Sequence, residues 1–421
     1  MVVVRFVLRV LGGCVGAVLL FGVALYLHSE WYSFTPGVPF SGNRLYNPYE
    51  GAALDRGFLA NFHAHSACWG GLTNGKGTPE EVRNRYAALG YDFFAVSNYQ
   101  RIDTTAAPGL HTYEHGWGVQ KTHQLVIGGS EVTWLDFPYF QNEHQKQTLV
   151  HRIRRANPRA VLVAAHPALR GGYTAEDLAL IEGFDAVEAL SRMHRSVALW
   201  DEVLSSGTYL PTIGNDDCHD IFKQGETGRF GTYVLSGNPG ADATLAALRS
   251  GRCFVVEFPV TKDTSAVAQR RLVTQPLPLE SIHTGENFVE VVAKEPLAHF
   301  WAFTDNGDTL LHIQDQDTVR VLLPAHASYV RFQAQTQDGR TLYTNPIART
   351  SGGKPQREGA ARFDLGKTIL YRSAAGIAWG CLAALFFRLL NGKRPHSFRP
   401  QMADRVPDRH RRPAPPRIVG A

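Results

Sequence analysis

Between residues 58 and 255, strand-like and helix-like segments alternate along the chain, and this alternation limits the fold more than any other feature. Apolar runs typical of buried strands, at 93–96, 160–165 and 186–190, are separated by amphipathic or capped segments. One such segment opens with T-P-E-E at 78–81, a capping box with proline in the first helical turn. Alternating strands and helices favour a sheet of parallel strands, open or closed, with helices packed against it.

Polar side chains follow several of these strands directly. His63, Glu131, His166 and Asp217 each come just after an apolar run. The carboxyl ends of parallel strands meet at one edge of an α/β sheet or barrel, and active sites collect there. His63 and His65 are two residues apart, so in extended chain both imidazoles point to one face. The pattern predicts a metal site, although this histidine pair taken alone is equally explained by chance surface positions.

Four motifs in this order resemble the PHP family (polymerase and histidinol phosphatase) of metal-dependent phosphoesterases. They read HAH at 63–65, GSE at 129–131, AHP at 165–167 and GNDDCH at 214–219. The resemblance covers residues 58–255 and implies a distorted (β/α)7 barrel with its metals at the carboxyl-end rim. It also implies a hydrolase that cleaves a small phosphomonoester or nucleotide with metal-activated water.

The resemblance implies two divalent ions, zinc, manganese or iron, with Glu131 bridging them. Imidazole and carboxylate ligands suit these metals, and a bridging carboxylate can hold two ions about 3.5–4 Å apart. Asp217 and His219 would be the catalytic pair, with His219 either a weak ligand or the proton donor to the leaving oxygen. The full ligand set that the resemblance implies is His63, His65, Glu131, His144, His166, Asp217 and His219.

The chain departs from the family pattern in two places. Residues 97–99 read Ser-Asn-Tyr where members usually carry Thr-Asp-His, and 73–75 read Thr-Asn-Gly where an aspartate or histidine is frequent. Both changes remove ligands of a third metal, which favours a site for two. Tyr99 and Arg170 are candidate contacts to substrate phosphate. A tyrosine packed at a strand end and a solvated loop arginine are the alternatives.

Other polar residues of this region have ordinary explanations. We expect no role in the site for four other histidines of the region: His111, His115, His123 and His151. Residues 113–118, rich in glycine and aromatic side chains, are a candidate loop over the substrate. Glu188 lies at the end of another predicted strand, where it would orient a metal ligand through a hydrogen bond or form a salt bridge with Arg192.

After residue 255 the composition changes to β-rich runs divided by turns such as Asp305-Asn306-Gly307-Asp308. The region 256–350 therefore predicts a small antiparallel β-sandwich, with packing or substrate presentation as its role. Residues 28–57 and 351–367 are then linkers on either side of the two folded units.

Both ends of the chain have the composition of membrane helices. Residues 10–27 are uncharged and apolar, which predicts an uncleaved anchor over 1–27, with a cleaved signal peptide as the alternative. A second span is predicted at 368–390, followed by a basic, disordered tail at 391–421. The positive-inside rule then places both termini in the cytoplasm and the catalytic body outside the cell membrane, in the periplasm.

The charge of the body argues against a nucleic-acid partner. Thirteen of the 43 basic residues but only two of the 38 acidic ones lie outside 28–365, which leaves this segment with a net charge of −6. A small phosphorylated substrate is the expected partner. The alternative function is a catalytically weakened PHP module that binds a ligand or partner at the membrane, and a C–N hydrolase has less support.

Overall fold

The computed structural model describes residues 2–104, 110–237, 240–260, 265–355 and 360–390. The predicted basic tail at 391–421 lies outside the described residues. The α-helices are α1 Val2–Ala24, α2 Pro79–Leu89, α3 Glu143–Ala156, α4 Ala175–Leu180, α5 Val197–Ser205, α6 Ala241–Ser250, α7 Ala266–Val273 and α8 Leu365–Leu390.

The strands fall into a two-stranded, a three-stranded, a five-stranded and a ten-stranded sheet. They are β1 Tyr32–Phe34, β2 Arg44–Tyr46, β3 Phe58–Asn61, β4 Phe93–Phe94, β5 Thr112–His115, β6 Gln124–Ile127, β7 Val161–Ala164, β8 Ala186–Ser191, β9 Thr212–Asn215, β10 Phe230–Val234, β11 Cys253–Glu257, β12 Leu279–Thr284, β13 Phe288–Leu297, β14 His299–Phe303, β15 Thr309–Ile313, β16 Gln316–Leu322, β17 Tyr329–Gln335, β18 Thr341–Thr344, β19 Ile347–Thr350 and β20 Ala361–Phe363.

The five-stranded sheet has the order β5-β6-β7-β8-β9. Strands β7, β8 and β9 are parallel, as the alternation of strands and helices predicts, and every residue of β7 and β8 is buried. Strands β5 and β6 form an antiparallel hairpin at the edge. Burial on both faces explains why the parallel strands are continuous apolar runs.

The ten-stranded sheet joins the first strand of the metal region to the β-rich region. It runs β15-β14-β17-β18-β11-β10-β3-β4, with β19 and β2 attached beside β17. Strand β11 crosses the predicted boundary at residue 255 and pairs with β18. The three-stranded sheet β12-β13-β16 packs on the β14 and β17 end of this sheet, where Val291 and Val319 share a core with Phe300 and Phe332.

The described residues form a mixed α/β structure of several sheets without a closed barrel, so the predicted distorted (β/α)7 barrel is not shown. The five-stranded and ten-stranded sheets remain separate and meet through isolated bridges, Ala64 to Cys218 and Tyr99 to Glu114. Strands β5 and β6 are a hairpin without a crossover helix, so the alternation of strand and helix is interrupted there, and β5 is at the edge of its sheet. The two bridges nevertheless bring the ends of β3, β4, β5 and β9 together.

Two helices are long and apolar enough to cross a membrane, by length and composition. They span Phe6–His28 and Leu365–Leu390, with mean hydropathies of 2.3 and 1.7. The helices pack antiparallel, because Gly16 lies against Phe386 while the Trp379 indole donates a 2.9 Å hydrogen bond to the Leu20 carbonyl. Strands β1 and β20 pair directly beyond the inner ends of the two helices.

Candidate metal centre

Seven ionisable side chains converge where the strand ends meet. They form four overlapping groups of three, each with ligand atoms within 4.8 Å of one another. Six of the seven are at most 2% exposed, and the side chain of His219 is 12% exposed. The members are His63, His65, Glu114, His123, His166, Asp217 and His219. We call this set the cluster.

Four atoms define the tightest part of the cluster. The Nε2 atom of His63 lies 3.4 Å from Glu114 Oε2 and 3.3 Å from Asp217 Oδ1. The Nε2 atom of His65 lies 3.1 Å and 3.2 Å from the same two oxygens. Two imidazole nitrogens and two carboxylate oxygens thus face one point, the donor set that zinc, manganese and iron accept.

The other oxygen of Glu114 belongs to a second group. Its Oε1 lies 2.5 Å from His123 Nδ1 and 3.1 Å from His166 Nε2. His166 Nε2 is also 3.9 Å from Asp217 Oδ2. Glu114 therefore divides its two oxygens between two groups of ligands, which is the arrangement that a carboxylate bridging two ions requires.

Unpartnered buried atoms support a cation here. The atoms His63 Nε2, His65 Nε2, Glu114 Oε2 and Asp217 Oδ1 are all buried, and none has a hydrogen-bond partner among the described residues. Leaving a buried polar atom unpaired costs about 1–3 kcal/mol, and more for a charged one. Four such atoms facing one another fit a divalent cation, which would satisfy all of them at once.

The backbone holds the ligands in place through the bridge between the segments that follow β3 and β9. The Asp217 N–H donates to the His63 carbonyl at 3.0 Å, and the His65 N–H donates to the Cys218 carbonyl at 2.8 Å. Asp217 and His166 have φ of 49° and 29°, a left-handed conformation that is unfavourable for residues other than glycine. Such strain is characteristic of functional sites, where the surrounding structure enforces it.

Glu188, on β8, supports the opposite side of the His63 ring. Its Oε1 lies 3.0 Å from His63 Nδ1 and accepts a 2.8 Å hydrogen bond from Asn215 Nδ2, and its other oxygen accepts from the His166 N–H at 3.2 Å. Of the two roles expected for Glu188, the structure shows the hydrogen bond to a candidate ligand. Arg192 pairs instead with Glu226, at 2.7 Å.

Asp216 and Asp217 point in opposite directions, as adjacent residues at a strand end should. The Asp216 carboxylate accepts from the N–H groups of Gly228, Arg229 and Phe230 and from the Tyr86 hydroxyl, at 2.7–2.9 Å. Burial raises the pKa of Asp216 to about 6 against the lowering effect of these donors. Asp216 thus anchors a loop, while Asp217 faces the cluster.

Charges within the cluster set its protonation. Burial lowers the pKa of the His63 imidazole, but the carboxylates of Asp217, Glu188 and Glu114 outweigh burial and raise that pKa well above its ordinary value. Burial raises the pKa of Glu114, yet the neighbouring His123 and His63 hold it well below the usual range. The carboxylates are therefore ionised and attract either protons on the histidines or a cation in their place.

His219 and Tyr99 form the less buried side of the cluster. The Tyr99 ring stacks on His65 with centroids 4.5 Å apart, and its hydroxyl is 3.2 Å from His219 Nε2. Burial and the nearby charge of His65 lower the pKa of His219 to about 4. Burial and the Glu114 charge raise the pKa of Tyr99. Both side chains are thus neutral near pH 7.

The first two members of the Ser97-Asn98-Tyr99 segment support the backbone of the histidine pair. Ser97 Oγ accepts from the Ala64 N–H at 3.1 Å, and Asn98 Oδ1 accepts from the Ser66 N–H at 2.9 Å. These side chains hold the loop that carries His65. They lie beside the cluster without supplying a member of it.

Glu131 and His144, expected as ligands, are not brought to the cluster. Glu131 is exposed after β6, and its backbone is held by the Asn157 side chain. His144 lies in the first turn of α3, where its ring stacks on Trp31 at 3.8 Å and its Nδ1 accepts from the Tyr32 N–H. Glu114 and His123, which the sequence motifs do not select, are members of the cluster.

Arg170 also lies apart. It is exposed in a turn after His166, with a left-handed φ of 52°, and no ion pair joins its guanidinium to the cluster within the described residues. A contact between Arg170 and substrate phosphate therefore stays a prediction. Tyr99, by contrast, touches two cluster histidines.

Glu114 and His123 sit at the two ends of the β5–β6 hairpin turn. Glu114 lies in β5, where all four residues are buried, and His123 immediately precedes β6. The segment expected to be a loop over the substrate, 113–118, is partly this strand. The available signal was a glutamate and a histidine nine residues apart, flanking a glycine-rich turn between two strand-like runs.

Comparisons with known proteins add little to this geometry. No family model matches the chain, and no curated protein matches it. Among solved structures, the chain is similar to a two-domain protein from Bacteroides vulgatus that contains a predicted PHP-like metal-dependent phosphoesterase. The identity is 14%, the TM-score is 0.39, and the match covers 72% of this chain and 100% of that chain. A likeness this distant does not assign the family.

Proposed function

We propose that this chain is a metal-dependent phosphoesterase that hydrolyses a small phosphomonoester or nucleotide at a site for two divalent ions. The observation that carries the proposal is the convergence of four buried, unpartnered atoms from His63, His65, Glu114 and Asp217. A further group, Glu114 with His123 and His166, supports a second ion beside the first.

Divalent cations bound there would supply a Lewis acid for the phosphoryl oxygens and activate a water for attack. The residues of the chain have separate tasks around them. Glu114 aligns the two ligand groups, and Glu188 fixes the His63 ring through its Nδ1. His219 and Tyr99, on the less buried side, are placed to meet a phosphoester that arrives from solvent. Because burial and the charge of His65 keep the His219 imidazole neutral near pH 7, His219 would act as a weak ligand, and the leaving oxygen would take its proton from water.

The membrane location is part of the proposal. The antiparallel packing of α1 and α8 is consistent with two crossings that leave both chain ends on one side. The arginines near the first span and the basic composition of 391–421 favour the cytoplasmic side for those ends. The cluster would then face the periplasm.

Metal content and hydrolysis test the proposal together. The full-length protein, purified in detergent, should hold two ions per chain by mass spectrometry and hydrolyse p-nitrophenyl phosphate. A His63→Ala/His65→Ala variant should lose both properties, while His111→Ala, outside the cluster, should retain them. Absence of bound metal after reconstitution with manganese, zinc or iron would overturn the proposal. Bound metal without hydrolysis of any phosphoester would favour a binding module.

A further inference from the structure

The loop after β6 connects the cluster region to helix α1. The Tyr26 hydroxyl donates to the Phe140 carbonyl at 2.9 Å and accepts from the Tyr139 N–H at 3.0 Å. The Tyr139 hydroxyl donates to the Leu19 carbonyl at 3.1 Å. From Leu19 to His28, the end of the apolar stretch, is about nine residues, or roughly 14 Å of helix at about 1.5 Å per residue. This loop therefore reaches alongside the span itself.

The same loop contacts the turn of the β5–β6 hairpin. Asp136 accepts from the N–H groups of Trp117 and Gly118, at 2.7 Å and 3.1 Å. The Val119 N–H donates to the Pro138 carbonyl at 2.9 Å. Because Glu114 and His123 occupy the two ends of this hairpin turn, a short path of hydrogen bonds joins the cluster to α1.

Four large aromatic side chains are exposed along this path, and we call them the aromatic surface. Trp69, Trp117, Trp134 and Phe140 are 41%, 47%, 62% and 76% exposed. The rings of Trp69 and Trp134 contact edge to face, with centroids 5.9 Å apart. The Trp69 indole donates to the Tyr99 carbonyl at 2.8 Å, and Tyr99 stacks on His65. The aromatic surface thus extends from the cluster to the helix.

Water-facing aromatic residues next to an apolar helix are typical of the membrane–water interface, where tryptophan and tyrosine concentrate. Charged residues at the same end of α1 and α8 indicate where the membrane–water interface would lie. Arg372 of α8 donates to the Ser29 and His28 carbonyls, at 3.0 Å and 3.1 Å, and Glu30 pairs with Arg152. Charged groups at this level belong to water, so Leu19 and the Tyr139 side chain that reaches it lie on the lipid side of that level.

We infer that the substrate is a phosphoester borne by a membrane lipid, a claim that rests on the proposed phosphoesterase function. The acyl chains stay in the bilayer beside the aromatic surface while the phosphate head group reaches the cluster. Water adds to phosphorus, the bond from phosphorus to the glycerol oxygen breaks, and that oxygen leaves protonated. For phosphatidic acid the products are diacylglycerol and inorganic phosphate.

The test compares the same phosphate group on a membrane lipid and on a water-soluble molecule. Full-length protein in phosphatidylcholine vesicles containing phosphatidic acid is assayed for phosphate release, beside the same protein in plain phosphatidylcholine vesicles with free glycerol 3-phosphate. The rate on phosphatidic acid should exceed that on glycerol 3-phosphate by at least about tenfold. Phe140→Asp should reduce the ratio of the two rates about tenfold. Leu322→Asp, a control that is 68% exposed on β16, should leave the ratio unchanged.

Equal rates on the two substrates, with a ratio that Phe140→Asp does not change, would overturn the lipid inference and leave the phosphoesterase proposal standing. Hydrolysis of neither substrate nor of p-nitrophenyl phosphate would overturn both. Loss of a dimer in Phe140→Asp with an unchanged ratio would overturn the inference as well, and would assign the aromatic surface to a second copy of the chain. A direct measurement is quenching of tryptophan fluorescence by brominated phosphatidylcholine, which should decrease in Trp134→Phe.

Discussion

Glu188 holds His63 by the ring nitrogen that faces away from the cluster, with 3.0 Å between Oε1 and Nδ1. This contact fixes the ring so that Nε2 points to Glu114 and Asp217. Carboxylates in this position also increase the basicity of a metal-binding imidazole. Under the proposed function, Glu188 would therefore be a positioning residue that acts through His63.

Replacing Glu188 by glutamine should weaken metal binding by about 10–100-fold, since the ring loses its charged partner. Competition with a fluorescent chelator measures the affinity, and hydrolysis at saturating metal should recover much of its rate. Glu226→Gln removes another buried carboxylate, one that pairs with Arg192, and should leave the affinity unchanged. An affinity equal to that of the wild type in Glu188→Gln would show that Glu188 has no positioning role.

The two candidate bridging glutamates make a matched pair. Glu114→Gln should lose bound metal and hydrolytic activity, because the amide carries no negative charge and an NH2 group, which cannot bind a cation, replaces one of the two oxygens shared between the ligand groups. Glu131→Gln changes an exposed side chain and should match the wild type in both. Metal content by mass spectrometry decides between them. The opposite result, loss in Glu131→Gln alone, would return the bridging role to Glu131.

Metal binding should release protons near neutral pH. The pKa of His63 is raised by carboxylates that outweigh burial, and the same holds for His65 and His166. Without metal these rings are protonated below their raised pKa, so the ion pairs stabilise the fold at lower pH and weaken as pH rises through that pKa. A cation displaces these protons, so its affinity should increase with pH. Calorimetry at about pH 7.5 in buffers of different ionisation enthalpy measures the number of protons released on metal binding. Binding without proton release would contradict the prediction.

Replacing each of the adjacent residues Asp216 and Asp217 by asparagine should have a different effect, on stability in one case and on metal binding in the other. Asp216→Asn removes an acceptor from buried donors, including the Gly228 N–H and the Tyr86 hydroxyl, and should lower the free energy of unfolding by about 1–3 kcal/mol. Asp217→Asn should instead abolish metal binding. Thermal unfolding of both variants, with metal content measured in parallel, separates the two effects. A metal-free Asp216→Asn that unfolds like the wild type would reverse the roles assigned here.

Gly16 of α1 lies directly against the Phe386 ring of α8. A Cβ at this position would overlap Cε2 of Phe386, whereas one at Gly12 would have nothing within 4 Å. Gly16→Leu should destabilise the helix pair by about 1–3 kcal/mol through overpacking, and Gly12→Leu should be tolerated. Thermal unfolding in detergent measures both variants. Equal melting temperatures would mean that the two helices do not pack as described.

Much of the candidate site follows from local patterns. His63, His65, His166 and Asp217 are predictable because they follow apolar strands closely, and the structure brings them together. Glu114 and His123 escape this pattern because they flank an antiparallel hairpin turn, which interrupts the alternation of strands and helices. The G-S-E motif at 129–131 leads to the selection of Glu131 instead of Glu114, since a glutamate directly after a strand satisfies the same local pattern.

Likewise, local sequence patterns predict one part of the fold but not another. The parallel order of β7, β8 and β9 follows from continuous apolar runs separated by helices. The pairing of β11 with β18 joins segments almost ninety residues apart, and no local periodicity specifies such a partner. The open arrangement of the described sheets has the same origin, because closure of a barrel depends on which distant edges meet.

The pairing of β1 with β20, directly beyond α1 and α8, closes the chain at the point where it would leave the bilayer. A folded region attached to a membrane by a single helix and a flexible linker would rotate freely above the membrane surface. In a chain that crosses the membrane twice, as we propose, the paired strands at the base of the two helices would restrict that rotation and limit the height and angle of the cluster relative to the lipid plane. For a substrate held in the bilayer, as inferred above, such an orientation would reduce the encounter with the cluster from a three-dimensional to a two-dimensional diffusion process.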